Sequence, residues 1–118
     1  MNIPHMEFEY KLIQQSRVSV ITLKGRIGKD AKEHLEQCRK DIEELDADII
    51  ILLFKDVPVV DPAVFREVTL IQQDIRKKNI QLYLVGLSNT VKNYLNDRAI
   101  IRLSEVKNTL EEILSAKN

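Results

Sequence analysis

The chain has 118 residues, and its eighteen Lys plus Arg balance eighteen Asp plus Glu to a formal net charge of zero. This length suits one domain that buries about two thirds of its extended surface. The balanced charge gives no overall attraction to nucleic acid or to an anionic membrane. We therefore expect a single domain over residues 1–118, with residues 1–5 as a loose N-terminal tail.

The N-terminal segment, the apolar runs and the cysteine count indicate the cellular location of the protein. The segment Met1–Glu7 has neither the basic region nor the apolar core of a signal peptide. The longest apolar run is far shorter than the roughly 18 residues of a membrane span, and a single cysteine excludes an internal disulfide. We expect a cytoplasmic protein without direct membrane insertion.

The first four elements are predicted from apolar periodicity. Alternation over Met6–Leu12 predicts a strand with one exposed face, followed by a turn at Gln14–Ser16 and a second strand at Arg17–Lys24. Asp30 is the predicted cap of a first helix, which carries a narrow apolar stripe. The apolar run Ile49–Phe54 predicts a strand buried on both faces, hence central in a sheet.

The pair Asp61-Pro62 after the central strand predicts a helix start. Asp accepts hydrogen bonds from first-turn amides, and Pro presets the backbone where no donor is needed. The helix, predicted to run from Pro62 to Lys78, therefore begins at the carboxyl edge of the sheet, where α/β proteins usually place ligands or modifications. Any function should be sought first near Asp61.

The rest of the chain continues the alternation of strands and helices. Its predicted elements are a strand at Ile80–Val85, a third helix from Ser88 to Asn96, an edge strand at Ala99–Leu103 and a last helix capped by Ser104. The order predicts an α/β fold with a mixed sheet of four to five strands and about four helices, mainly on one face. The first strand should pair antiparallel at an edge.

This order, together with the residues around Asp61, resembles the STAS domain of bacterial anti-sigma factor antagonists, stressosome proteins and sulfate-transporter tails. The resemblance rests on the Gly25 strand exit, the strand at Ile49, the Val57–Asp61 loop, Leu84-Val85-Gly86 followed by Ser88, and Leu103-Ser104-Glu105-Val106. In that family a Ser or Thr at the start of the second helix is phosphorylated, in motifs such as Asp-Ser-Ser-Gly. Here the motif reads Asp61-Pro62-Ala63-Val64, so the resemblance places the methyl group of Ala63 where the acceptor hydroxyl would be.

The surface that the resemblance implies for partner binding surrounds this helix start. It comprises Arg26, Ile27, Gly28, Lys55, Asp56, Asp61, Pro62 and Phe65. Phe65 and Leu70 lie off the apolar stripe of the second helix, so they either anchor a partner or contact the third helix or the loop above. The sequence leaves both readings open.

The sequence gives little indication of a catalytic site or a metal site. Asp30, Asp56 and Asp61 could lie near one edge, but no His, Lys or Ser is placed as their partner. His34 and Cys38 have metal-ligand spacing, yet a site needs three or four ligands, and Cys38 reads better as a small buried hydrophobe. We expect no metal, no cofactor and no enzymatic activity.

The sequence favours a protein-protein interaction module of bacterial regulation that is not switched by phosphorylation at the helix start. Its expected partner is an anti-sigma factor, a kinase-like protein or a homologous STAS assembly, and homo-oligomers are possible at the exposed first strand. The alternative is an accessory STAS subunit of a membrane transport system, or a binder of a small ligand or lipid.

Overall fold

The computed structural model describes residues 7–97 and 102–115. The strands are β1 (Glu9–Gln15), β2 (Val18–Lys24), β3 (Ile49–Asp56), β4 (Gln81–Val85) and β5 (Val106–Lys107). The α-helices are α1 (Lys32–Glu43), α2 (Phe65–Lys77), α3 (Asn89–Asp97) and α4 (Leu110–Ser115). Short 3-10 segments cover Lys29–Ala31, Pro62–Val64 and Leu103–Glu105. The predicted N-terminal tail over residues 1–5 lies outside the described residues.

The strands form one five-stranded sheet in the order β1-β2-β3-β4-β5. β1 pairs antiparallel with β2, and the remaining neighbours are parallel. The predicted mixed α/β sheet is therefore confirmed, with the apolar strand at its centre and the first strand at an edge. Parallel strands leave their carboxyl ends on the same side, so the loops after β2, β3 and β4 meet at one edge.

Both faces of β3 are covered, as its unbroken apolar run predicts. Ile50, Leu52 and Phe54 belong to the large core shared with α1, α2 and α3. The alternate residues Ile49 and Ile51 belong to a smaller cluster on the opposite face, which includes Leu110 and Ile113 of α4. The helices are thus mainly on one face, and α4 covers part of the other.

Two helix boundaries follow directly from local chemistry. Asn79, just after α2, adopts a left-handed conformation with φ of 59°, which Asn tolerates better than most residues. The Ser88 hydroxyl accepts a hydrogen bond from the Val91 amide at 3.1 Å and caps α3. The predicted start of the third helix at Ser88 is confirmed.

The N-terminal elements differ from prediction in their bounds. β1 runs over Glu9–Gln15 instead of Met6–Leu12, because Gln14 and Gln15 still pair with β2 and backbone pairing needs no apolar side chain. The turn consequently moves to residues 16–17. The prediction that Asp30 caps the first helix is wrong: Asp30 lies inside the 3-10 segment, and neither that segment nor α1 has a side-chain cap.

The C-terminal elements also differ. Ser104 lies in a 3-10 segment, and the helix predicted to begin there starts instead at Leu110, where the Thr109 hydroxyl accepts from the Glu112 amide at 3.3 Å. Val106, predicted to be helical, pairs with Leu84 as the edge strand β5. The predicted edge strand at Ala99–Leu103 falls mostly on residues outside the described ones.

A buried ion pair fastens the C-terminal segment to α2. Arg76 donates through Nη2 to Oε1 of Glu105 at 2.5 Å and through Nε to Oε2 at 3.2 Å. The Glu105 side chain is only 5% exposed. Arg76 lies in α2, before β4 in the chain, and Glu105 comes directly before β5. Their two-point contact therefore ties the start of β5 to α2.

No helix within residues 7–97 and 102–115 combines the length and apolar character needed to cross a lipid bilayer.

Candidate functional site

The start of the second helix is built as its sequence predicts. Asp61 is extended, with φ of −74° and ψ of 132°, and its Oδ1 accepts a hydrogen bond from the Ala63 amide at 2.8 Å. Pro62 follows at the first position of a 3-10 segment that leads into α2. The predicted capping role of Asp61 is confirmed, so one first-turn amide is already satisfied by the chain itself.

The loops after β2 and β3 are tied together beneath this helix start. The Gly25 amide donates to the carbonyl of Asp56 at 2.9 Å, and the Ile27 amide donates to that of Val59 at 3.2 Å. The Asp61 amide in turn donates to the carbonyl of Ile27 at 2.8 Å. These backbone bonds fix the helix start relative to the sheet.

We call the exposed residues around this helix start the carboxyl-edge surface. It consists of Arg26, Asp56, Pro62, Ala63 and Arg66, all of which are exposed. Ala63 therefore presents its methyl group to solvent at the helix start, and it is not part of the core. The structure brings together the two segments, Arg26–Gly28 and Lys55–Pro62, that the sequence analysis assigned to one surface.

Two of the predicted surface residues are buried. The side chain of Ile27 is 0% exposed and belongs to the main core, so the prediction that it contacts a partner is wrong. Gly28 is also buried, and a Cβ added there would lie 3.2 Å from Asp30 Oδ1. Ile27 lies beneath the surface, where an isolated parallel β-bridge joins it to Val60. The Lys55 side chain is not among those described.

Phe65 is half-buried and packs edge-on against Tyr94 of α3, with ring centroids 5.2 Å apart and planes at 77°. Such edge-to-face pairs stabilise helix contacts. Of the two readings left open by the sequence, the contact with the third helix is therefore the one observed. Leu70 is likewise half-buried.

Arg66 is the surface residue that the sequence analysis missed. It follows Ala63 by three positions, and residues three apart on a helix are neighbours on its surface. Its exposed guanidinium accordingly lies on the same side of the helix start as the Ala63 methyl group. The i, i+3 spacing between Ala63 and Arg66 could have indicated this position. A charged residue on a helix, however, is usually exposed to solvent without a role in binding.

The described part of the chain contains neither a metal site nor a reactive thiol. Among residues 7–97 and 102–115, no group of three His, Cys, Asp or Glu side chains is placed to hold a metal ion. Burial raises the pKa of Cys38 to about 12, so the thiol remains protonated and unreactive. His34 packs its ring edge-on against Phe8 at 6.2 Å.

A cavity of about 170 Å³ lies beyond β4, between the start of α3 and β5. Its lining includes Gly86, Asn89, Lys92 and Lys107 but no carboxylate or histidine. Ligand pockets commonly measure about 300–1,000 Å³. This cavity is therefore small for a substrate and lacks an acid-base pair.

Replacing Asp61 with alanine is expected to lower the free energy of unfolding by about 1 kcal/mol, because the Ala63 amide loses its acceptor. Urea unfolding followed by circular dichroism measures this. Asp61→Asn keeps a side-chain oxygen and should recover most of the loss. Equal stability of the alanine variant and the native chain would contradict the capping role.

The sequence profile of the STAS domain matches residues 9–113. The chain therefore belongs to the STAS domain family. No curated protein sequence matches the chain.

Solved structures show the same fold. An anti-sigma factor antagonist from Mycobacterium paratuberculosis is 14% identical with a TM-score of 0.77, covering 93% of both chains. The Bacillus cell fate determinant SpoIIAA in its phosphorylated form is 19% identical with a TM-score of 0.71, covering 93% of this chain and 100% of that one. A sulfate transporter family protein from Wolinella succinogenes is 21% identical with a TM-score of 0.74, covering 88% and 87%.

Proposed function

We propose that this STAS domain is a non-enzymatic interaction module of bacterial regulation, which binds a protein partner at its carboxyl-edge surface. The observation that carries the proposal is the exposed methyl group of Ala63 on a helix start that is rigidly tied to the sheet. Such a surface is preformed, so binding requires little ordering of the chain. The partner would be an anti-sigma factor, a kinase-like protein or a homologous STAS assembly.

The proposal includes the absence of a phosphorylation switch at this surface. The segment Lys55–Arg66 contains no Ser, Thr or Tyr. SpoIIAA, which has been solved in unphosphorylated and phosphorylated forms, supports the relevance of phosphorylation to this fold. A phosphoryl group needs a hydroxyl, and a methyl group at position 63 cannot accept one. Binding at the carboxyl-edge surface would therefore be constitutive.

The local chemistry supports binding rather than catalysis. Asp61 is engaged in capping, and the exposed groups of the carboxyl-edge surface are two guanidinium groups, a carboxylate and apolar atoms. Arg66 beside Ala63 suits a partner that presents a carboxylate to the helix start, since guanidinium groups bind carboxylates through two parallel hydrogen bonds. No cofactor enters this proposal, and a cytoplasmic location is part of it.

A second candidate function is that of an accessory subunit on a membrane transport system. It is favoured by the likeness to STAS domains of transporters, among them the SulP transporter STAS domain from Vibrio cholerae, at 20% identity and a TM-score of 0.71. On this account the same surface would bind a transporter subunit such as its ATPase.

Affinity capture from the source bacterium tests the proposal and separates the two candidates. The tagged native chain should retain a histidine-kinase-like anti-sigma protein, whereas the second candidate predicts a transporter ATPase. The Arg66→Glu variant, which reverses one charge of the carboxyl-edge surface, should lose the captured protein. Asn93→Glu, at an exposed position of α3, is the matched control and should retain it.

Incubation of the captured kinase-like protein with the native chain and ATP completes the test. The native chain should acquire no stoichiometric phosphate on any Ser, Thr or Tyr. Stoichiometric phosphate on any of them, or capture that is equally strong in both glutamate variants, would overturn the proposal.

A further inference from the structure

An apolar row crosses the open face of the sheet and ends at its free edge. The strand register places Ile13 beside Val20, Val20 beside Ile51, and Ile51 beside Tyr83. Solvent exposure of the side chains increases along this row: Ile51 is 1% exposed beneath α4, Val20 is half-buried, and Ile13 is 53% exposed. Within residues 7–97 and 102–115, Ile13 is the single exposed large hydrophobic side chain.

Among residues 7–97 and 102–115, no strand pairs with the outer edge of β1, the strand that carries Ile13. β1 is the edge strand of the sheet, pairs with β2 over seven residues without a register shift, and contains no proline. Proteins commonly protect such an edge with bulges, prolines or short strands. Glu9 and Lys11 are the charged residues of this strand, and each deters only those pairings that place a like charge opposite it.

We propose that two copies of the chain associate through their β1 strands, antiparallel about a two-fold axis at Ile13. This register places Ile13 opposite Ile13 of the second copy and continues the apolar row from one sheet into the next. Lys11 then lies opposite a neutral Gln15, and Leu12 lies opposite Gln14, so no like charges face each other. A two-fold axis at Lys11 would instead place the two Lys11 side chains opposite each other and would separate the two Ile13 side chains.

The ends of the paired segment bring charges of both signs together. Each Glu9 lies beside the hairpin turn of the second copy, where Arg17 already forms ion pairs of 3.0 Å with Asp46 and Asp48 of its own chain. A two-fold axis makes both contacts together, because the same patch is used by each subunit. The second copy is therefore the occupant that the pattern of this edge fits.

The association has a geometric consequence for the carboxyl-edge surface. The two-fold axis stands perpendicular to the sheet and reverses the strand direction, so the two carboxyl-edge surfaces point to opposite ends of a ten-stranded sheet. They remain accessible, and a dimer would hold two partners at once. This inference does not depend on the proposed function.

Analytical ultracentrifugation over a concentration series tests the association. The native chain should dimerise reversibly, and Ile13→Lys should weaken the dimer at least about tenfold because two cations would face each other. Ile13→Glu should do the same, and an equimolar mixture of the two variants should associate again. The pair Asn93→Lys and Asn93→Glu, at an exposed position of α3, should each dimerise like the native chain.

Cysteine cross-linking tests the register. Ile13→Cys should form an intermolecular disulfide under mild oxidation, because directly opposite residues bring their Cβ atoms within about 4.5–5.5 Å. Lys11→Cys alone should not, whereas a mixture of Lys11→Cys and Gln15→Cys should. The native Cys38 is fully buried and does not compete. A native chain that stays monomeric, a mixture of charged variants that does not reassociate, or efficient cross-linking of Lys11→Cys alone would overturn the proposal.

Discussion

Replacing Glu105 with alanine is expected to lower the free energy of unfolding by about 3 kcal/mol, because it leaves the part-buried guanidinium of Arg76 without this carboxylate. The pair joins α2 to the segment that leads into β5, and each guanidinium hydrogen bond is charge-assisted. The loss should appear in urea unfolding as a lower midpoint with an unchanged slope. It should also increase amide hydrogen exchange in residues 102–107.

Two variants make this result specific. Glu36→Ala removes an exposed carboxylate from the interior of α1 and should change stability by less than about 0.5 kcal/mol. Glu105→Gln keeps hydrogen-bonding atoms at the same position and should fall between the native chain and the alanine variant. If Glu105→Ala matched Glu36→Ala in stability, the ion pair would not hold the C-terminal segment.

Replacing Ala63 with glutamate is expected to weaken binding of the captured partner at least about tenfold, which corresponds to about 1.4 kcal/mol. The new carboxylate would lie beside Asp61 and would have to be desolvated at the centre of the carboxyl-edge surface. Isothermal titration calorimetry measures the affinity. Folding stability should not fall, because a negative charge near a helix N-terminus is favourable by about 0.3–1 kcal/mol.

A neutral side chain of similar size separates charge from volume in this experiment. Ala63→Gln should bind more tightly than Ala63→Glu, and Asn93→Glu should bind like the native chain. Native affinity in the Ala63→Glu variant would show that the partner binds elsewhere. It would leave the fold unaffected and would refute only the proposed surface.

Local chemistry was enough to predict much of this fold. The apolar run of β3 and the Asp61 and Ser88 caps each depend on a few neighbouring residues, and all are observed. What sequence patterns missed depends on pairing partners distant in the chain. β5 has only two residues and exists because Val106 and Lys107 pair with β4, so the helical pattern that begins at Ser104 was misleading.

The same distinction between features set by neighbouring residues and features set by distant ones applies to the candidate site. Asp61 and Pro62 were predictable because a cap and a first-turn proline are local features. The burial of Ile27 was not, since it lies in a loop between Arg26 and Gly28 and joins the core where it bridges to Val60. The contact of Phe65 with Tyr94 likewise requires knowledge of how α2 and α3 pack.

Site-specific photo-crosslinking at position 63 tests the central claim most directly. A photoreactive phenylalanine analogue in place of Ala63, expressed in the source organism, should form one discrete adduct, identified by mass spectrometry as the partner retained in affinity capture. The same analogue in place of Asn93 should form none. Absence of an adduct at position 63, or the same adducts at both positions, would contradict the claim that the carboxyl-edge surface binds a partner.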